Sequence, residues 1–324
     1  EAFRFGGILA DDMGLGKTLQ VIAFFLSEWQ EAKGAPLKPS LVVCPASLVY
    51  NWKNELERFA PILPVFLAAG SAAQRKAVLE EVRQENRGIL VTSYDLLRRD
   101  ADLYEGMEFA CQIIDEAQFI KNHTTQAARA VKQVCAAFRL ALTGTPVENR
   151  LSELWSIFDY LMPGFLFSYA RFREELETPI VAKADEEAAK RLQRLIRPFI
   201  LRRLKRDVLS DLPEKIEKNM YAQMEGEQRD LYDAHVQRLV QVLSGQTEEE
   251  FASSRIQVLA ELTKLRQLCC DPALLLEGYQ AESAKTRLCL ELIRNALDGG
   301  HKVLLFSQFT SMLDRLKECL DKEG

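Results

Sequence analysis

Short apolar runs punctuate the first half of the chain: Gly7-Ile8-Leu9-Ala10, Leu41-Val42-Val43-Cys44, Ile89-Leu90-Val91-Thr92, Ile113-Ile114-Asp115 and Leu140-Ala141-Leu142-Thr143. Each is mostly apolar and leads into turn-forming or phosphate-binding residue types. Continuous apolar strands separated by helical stretches indicate a parallel sheet covered on both faces. The pattern therefore predicts an α/β layer architecture. Beyond about residue 150 it changes. Residues 151–196 read as helical with a break at Met162-Pro163-Gly164, and a basic segment occupies 197–215. Residues 216–220 predict a strand, and 226–270 are helical again. There Leu259, Leu262, Leu265 and Leu268 recur along one helix face. A last βα unit is expected to open at Lys302-Val303-Leu304-Leu305-Phe306.

A length of 324 residues, 48% of them hydrophobic, suits about two domains with a sizeable core. No apolar run approaches the ~18 to 20 residues that cross a bilayer, and the N-terminus lacks the pattern of a signal peptide. No membrane partner is expected. The seven cysteines form no C-x-x-C pair and mostly sit in apolar stretches, so they read as small hydrophobes in a reducing setting. The net charge of −5 weighs mildly against a nucleic-acid binder. Its distribution matters more: Arg197, Arg202, Arg203, Lys205, Arg206 and Lys215 cluster in a short segment, opposed by Asp207, Asp211 and Glu214. A solvated helix face of mixed charge is the alternative reading of that cluster.

The strongest local signal is Asp11-Asp12-Met13-Gly14-Leu15-Gly16-Lys17-Thr18, set between an apolar strand and an apolar helix that begins at Leu19. A phosphate loop requires this context. Its glycines let backbone N–H groups turn toward phosphate oxygens, and the following helix N-terminus adds partial positive charge. Asp12, Met13, Gly14, Leu15, Gly16, Lys17, Thr18 and Leu19 are the expected nucleotide-binding stretch. Within it Lys17 would contact the β- and γ-phosphates, and Thr18 would ligate Mg²⁺. Asp11 stands where the G-x-x-x-x-G-K-[ST] pattern has its first glycine.

About a hundred residues on, Cys111-Gln112-Ile113-Ile114-Asp115-Glu116-Ala117-Gln118 places two carboxylates at a strand end. Strand C-termini of a parallel sheet line the ligand crevice. Asp115 is the expected Mg²⁺ holder, and Glu116 the group that orients and activates the attacking water. Leu142-Thr143-Gly144-Thr145-Pro146 ends the next strand with two hydroxyls on a tight turn. Thr143, Gly144 and Thr145 could sense the γ-phosphate; a plain turn is the alternative.

These segments together resemble superfamily-two helicase motors, and further ones resemble the Swi/Snf branch. The latter are Asp11-Asp12-Met13, Cys44-Pro45-Ala46-Ser47-Leu48, Thr92-Ser93-Tyr94, Arg197-Pro198-Phe199-Ile200-Leu201-Arg202-Arg203, Leu265-Arg266-Gln267-Leu268-Cys269 and Lys302-Val303-Leu304-Leu305-Phe306-Ser307-Gln308. Val147-Glu148-Asn149-Arg150 and the compact spacing look more like bacterial members. The resemblance implies two RecA-like lobes that bind ATP and Mg²⁺ between them and track along duplex DNA without separating its strands. It implies a first lobe over 1–222, with a helical protrusion at about 151–195 and a linking segment at 197–215. An incomplete second lobe would cover 223–324, with a protrusion at about 226–275 and a first βα unit at about 283–324. Gln118 joins Lys17, Asp115 and Glu116 as an expected catalytic residue.

DNA contacts are expected after the first-lobe strands. Ser47, behind Pro45, opens a helix whose N–H groups can receive a phosphate, and Trp52 and Lys53 lie further along it. Thr92 and Ser93 end another strand. Contacts of this kind are sequence-independent and salt-sensitive. For Trp52, packing in the core is the alternative. A strand-separating helicase, or a nucleotide-dependent module docking on RNA polymerase, are the competing functions. RNA polymerase or another DNA-bound protein is an expected partner. The expected location is the bacterial cytoplasm and nucleoid, or the nucleus of a eukaryote. The second-lobe arginine motif is not found before Gly324, so a truncated motor with weak turnover of its own is expected.

Overall fold

The computed structural model describes residues 5–32, 37–144, 150–208, 216–244, 248–279 and 281–323. The chain packs as two compact units, Glu1–Glu214 and Lys215–Gly324.

In the first unit the predicted α/β layering is present. Strand β1 (Gly7–Leu9) leads to helix α1 (Lys17–Glu31), β2 (Ser40–Cys44) to α2 (Val49–Phe59), and β3 (Val65–Ala68) to α3 (Ala72–Glu85). Then follow β4 (Ile89–Ser93) with α4 (Tyr94–Arg99), β5 (Glu108–Ile114) with α5 (Gln126–Gln133), and β6 (Cys135–Leu142) with α6 (Leu151–Leu161). Shorter helices α7 (Tyr169–Phe172) and α8 (Thr178–Lys183) precede α9 (Glu186–Ile196), strand β7 (Ile200–Leu201) and α10 (Lys205–Val208). The seven strands form one sheet in the order β3-β4-β2-β5-β6-β1-β7, every pair parallel.

The unbroken apolar runs follow from this order. Every residue of β2 and β4 is buried, because helices cover both faces of the inner strands. Successive side chains divide between two cores with the strand period of two. Leu41 and Val43 pack with Leu90 and Ile114 in one core. Val42 and Cys44 pack with Val91, Ile113 and the α1 residues Val21, Ile22 and Phe25 in the other.

Two strands escaped the sequence pattern. β3 is only Val65–Ala68, and β7 is two residues long. Two predicted strands, by contrast, are absent. Residues 216–220 and 302–306 carry no ladder, and Leu304 and Phe306 are 84% and 85% exposed. Residues 302–306 are mostly apolar, but no described strand lies in the second unit to pair with either segment.

The second unit is helical among its described residues: α11 (Gly226–Ser244), α12 (Glu248–Cys270), α13 (Ala284–Asp298) and α14 (Thr310–Glu323). The leucine stripe of α12 is graded. Leu268 and Leu265 are buried, whereas Leu262 and Leu259 are exposed. Two buried polar side chains tie the helix ends together. Gln228 donates to the Leu268 carbonyl (2.8 Å) and accepts from the Ala284 N–H (3.0 Å). The Asp271 carboxylate accepts from the Ala273 N–H, the Thr286 hydroxyl and Arg315 Nε. Fully paired buried groups of this kind fix one arrangement of the helices.

Candidate nucleotide site

The sheet order explains how segments far apart in sequence meet. β1, β6 and β5 are neighbours, with Leu9 opposite Leu142 and Ile114 opposite Ala141. Their C-terminal ends therefore bring the glycine-rich loop, Thr143 and the Asp115-Glu116 pair to one edge.

The loop from Asp11 to Thr18 turns with Gly14 at φ 87° and Gly16 at φ 72°, a conformation that a Cβ would strain. Gly16 sits at the N-terminus of α1, where no side chain caps the helix, so its first N–H groups lack a side-chain acceptor. The Lys17 ammonium folds back onto the carbonyls of Asp11 (2.7 Å) and Asp12 (3.4 Å). These carbonyls hold it over the loop cradle. A β-carbon added at Gly144 would stand 3.3 Å from Met13 Cγ, so the turn after β6 touches the loop.

Asp115 is buried beneath the edge. Its Oδ2 accepts from the Trp52 indole N–H (2.9 Å), and its Oδ1 accepts from the Glu116 N–H (2.9 Å). Burial pushes the Asp115 carboxyl above the usual carboxylate range; the Trp52 bond opposes this, the Glu116 charge adds to it, and the Lys17 charge draws it back. Tyr94 donates to the Asp115 carbonyl (2.7 Å) and stacks on Phe119 with ring centroids 5.1 Å apart. Cys44 is inert here: burial, then the Asp115 charge, pushes its thiol up to about 12.

Glu116 occupies left-handed backbone at φ 52°, ψ 59°, which costs an L-residue of this type about 1 kcal/mol or more. The twist sends its carboxylate to Gln118, whose Nε2 donates to Glu116 Oε2 (2.6 Å). Gln118 Oε1 in turn accepts from the Thr143 hydroxyl (3.3 Å). One chain of hydrogen bonds thus joins the acidic pair to the end of β6. Thr145 lies outside the described residues.

Hard oxygen donors suit Mg²⁺, and the Asp115 carboxylate and Thr18 hydroxyl are of that kind. Among the described residues no group of three or more His, Cys, Asp or Glu is placed to hold a metal. The fit is to a cation that completes its shell with water and phosphate oxygens.

Three of the expected DNA-contact residues have buried side chains. Trp52 is 1% exposed and spends its indole N–H on Asp115. Thr92 is buried and donates to the Ala68 carbonyl (3.2 Å). Ser93 is buried and caps α4 by accepting from the Leu96 N–H (3.3 Å). Trp52 points inward from α2 and Thr92 and Ser93 from the end of β4, where burial demands hydrogen-bond partners for them. Pro45 is half-buried and Ser47 exposed ahead of α2, while Lys53 is half-buried and ion-paired with Glu57 (3.6 Å). The exposed aromatic at the start of that helix is Tyr50.

The residue that sequence reading left without a partner is Asp11. Its carboxylate is fully buried and receives the Arg203 backbone N–H (3.0 Å) and the Arg203 guanidinium, with Nε at 3.1 Å from both oxygens and a further bond to Oδ2. Gln20 Nε2 adds a bond at 3.3 Å. Burial alone would raise the Asp11 carboxyl, but the bonds from Arg203 and Gln20 outweigh it and hold the group below its usual range. Arg203 reaches the loop because β7 pairs with β1. Of the basic cluster, Asp211, Glu214 and Lys215 lie outside the described residues.

Comparison with known proteins supplies the family. The SNF2-related domain model matches residues 2–274. An uncharacterised ATP-dependent helicase of Mycoplasma genitalium, MG018, is 38% identical over 99% of this chain and 30% of its own length. The TATA-binding protein-associated factor MOT1 of Saccharomyces cerevisiae is 35% identical over 98% of this chain and 18% of its own. The solved Sulfolobus solfataricus SWI2/SNF2 ATPase core in complex with dsDNA is 42% identical, with a TM-score of 0.59, covering 96% of this chain and 64% of that one. The chain spans about a third or less of the curated relatives named here. With the matched domain running through most of its length and the loop, acidic pair and sheet in place, it belongs to the SNF2-related family.

Proposed function

We propose that this chain is the nucleotide-hydrolysing part of a motor that uses ATP to move along double-stranded DNA and to remodel protein–DNA complexes. The observation that carries this is the hydrogen-bonded set Asp115, Glu116, Gln118 and Thr143 at the same sheet edge as the loop that holds Lys17. Phosphoryl transfer needs positioning and charge stabilisation more than covalent chemistry, and these residues offer both. The loop N–H groups and Lys17 bind the phosphates. Glu116, aimed by its backbone and by Gln118, orients the attacking water and accepts its proton. The Gln118–Thr143 bond passes the state of the phosphate end to β6. Asp115 and Thr18 would hold Mg²⁺, which neutralises charge on the β- and γ-phosphate oxygens when bound.

The duplex is supported as substrate by the solved SWI2/SNF2 core with dsDNA, and a DNA-bound protein as partner by the name of the MOT1 relative. Ser47 and Pro45 are the proposed backbone contacts in this unit. Phosphate release should rise at least tenfold on adding blunt duplex DNA of mixed sequence, and the stimulation should fade as salt rises from 50 to 200 mM. Stimulation by single strands alone, or displacement of a strand from a forked duplex, would favour the strand-separating alternative.

Trp52 is proposed as a positioning residue for the Mg²⁺ site. Outer-shell partners of metal ligands carry about 10- to 100-fold in metal affinity or activity. Trp52→Phe keeps most of the buried ring and deletes the N–H. It should raise the Mg²⁺ concentration for half-maximal turnover about tenfold while leaving metal-free nucleotide binding within twofold. An unchanged Mg²⁺ dependence in a folded variant would reduce Trp52 to core packing.

A further inference from the structure

The stretch that follows β7 is built onto the nucleotide loop. Ala10 N–H donates to the Leu201 carbonyl (2.7 Å), and Asp12 N–H to the Arg203 carbonyl (3.0 Å). In return the Lys205 N–H donates to Asp12 Oδ2 (3.0 Å), and Arg203 clamps Asp11. Arg203 also donates to Gln20 Oε1 (2.6 Å) on the first turn of α1. The loop and residues 201–205 therefore run side by side, with bonds in both directions. The ladder ends with the Lys205 side chain lying over Gly14: a β-carbon there would stand 3.2 Å from Lys205 Nζ and 3.3 Å from its Cε.

We propose that Lys205 is a second phosphate-binding cation of the nucleotide site, held over Gly14 by the Asp12 and Arg203 bonds. This rests on the nucleotide site assigned above. A nucleotide polyphosphate carries several negative charges, and one ammonium, Lys17, stands at the loop's helix end. Lys205 stands above its middle, exposed and with no acidic partner for its ammonium among the described residues. The glycine at position 14 has a second use in this arrangement, since a side chain there would displace the lysine. Asp11, the departure from the usual first glycine of the loop, is the anchor that brings the cation in. Arg203 touches no phosphate in this scheme and acts as a positioning residue.

The test is titration of the chain with a fluorescent ATP analogue, alongside thermal melts to establish folding. Lys205→Gln should weaken binding about tenfold, the share of one charge-assisted bond at a partly exposed site. Lys205→Arg should stay within twofold of the unaltered chain. Arg203→Gln should weaken binding by itself and make the further change Lys205→Gln nearly silent, because the lysine is then no longer held. Lys17→Ala is the control for the site as a whole. If Lys17→Ala abolishes binding and Lys205→Gln changes it less than twofold, Lys205 is not a ligand and the nucleotide site stands. Equal losses for Lys205→Gln and Lys205→Arg would also overturn the charge role. No binding by the unaltered chain would overturn both the site and the lysine.

Discussion

Glu116→Gln is expected to lower duplex-stimulated ATP turnover about a thousandfold while leaving nucleotide binding within a few-fold. The substitution removes the carboxylate that takes the water's proton, and general-base groups of this kind contribute about 10² to 10⁴ in rate. The replacement amide keeps an oxygen able to accept from Gln118 Nε2, so the link to Thr143 can persist. The left-handed backbone at position 116 is set by the sharp exit from β5 and does not depend on the charge. Pre-steady-state phosphate release, compared with equilibrium nucleotide binding, separates the two quantities. Loss of binding in parallel with turnover would mean that Glu116 holds the nucleotide rather than the water.

Lys17→Ala should do the opposite and act on binding first. The ammonium is expected to exchange its bonds to the Asp11 and Asp12 carbonyls for bonds to phosphate oxygens. Bonds of charged groups are worth about 1.5 to 3 kcal/mol each, so the upper end corresponds to roughly a hundredfold in affinity. Isothermal titration with a non-hydrolysable ATP analogue reads this directly. Retained affinity would show that the lysine serves the transition state alone. The vacated Asp11 and Asp12 carbonyls lie at a part-buried edge that water can reach, so the fold should survive the change.

Much of the site was legible in the sequence because its parts are contiguous. Gly14-Leu15-Gly16-Lys17-Thr18 contains loop, lysine and helix start in one window, and Asp115-Glu116 closes an apolar run. The parallel sheet was legible for a similar reason: β2 and β4 are buried on both faces and carry no polar interruption before their ends. What could not be read were the pairings across the sheet. Trp52 and Asp115 are 63 positions apart, and nothing in the helix pattern of α2 tells an indole that packs from one that also donates to a carboxylate. Asp11 and Arg203 are 192 positions apart. The clue was present as an aspartate in place of a glycine, but its partner became identifiable only when β7 was seen beside β1. Residues 302–306 illustrate the converse. Strand propensity is a statement about how side chains fit a pleated surface, and it makes no strand where no described neighbour is there to pair.

The pairing of β7 with β1 also sets the order in which the protein can be made. A growing chain emerges N-terminus first, so the glycine-rich loop is made before β7. The carboxylate of Asp11 nevertheless waits for Arg203, synthesised 192 residues later. Until then an acidic group meant for the interior has no counter-charge, and the first strand of the sheet has an open edge beside it. The loop is thus finished only once β7 is in place beside β1, and a nascent chain that stops short of β7 has a phosphate cradle without its clamp.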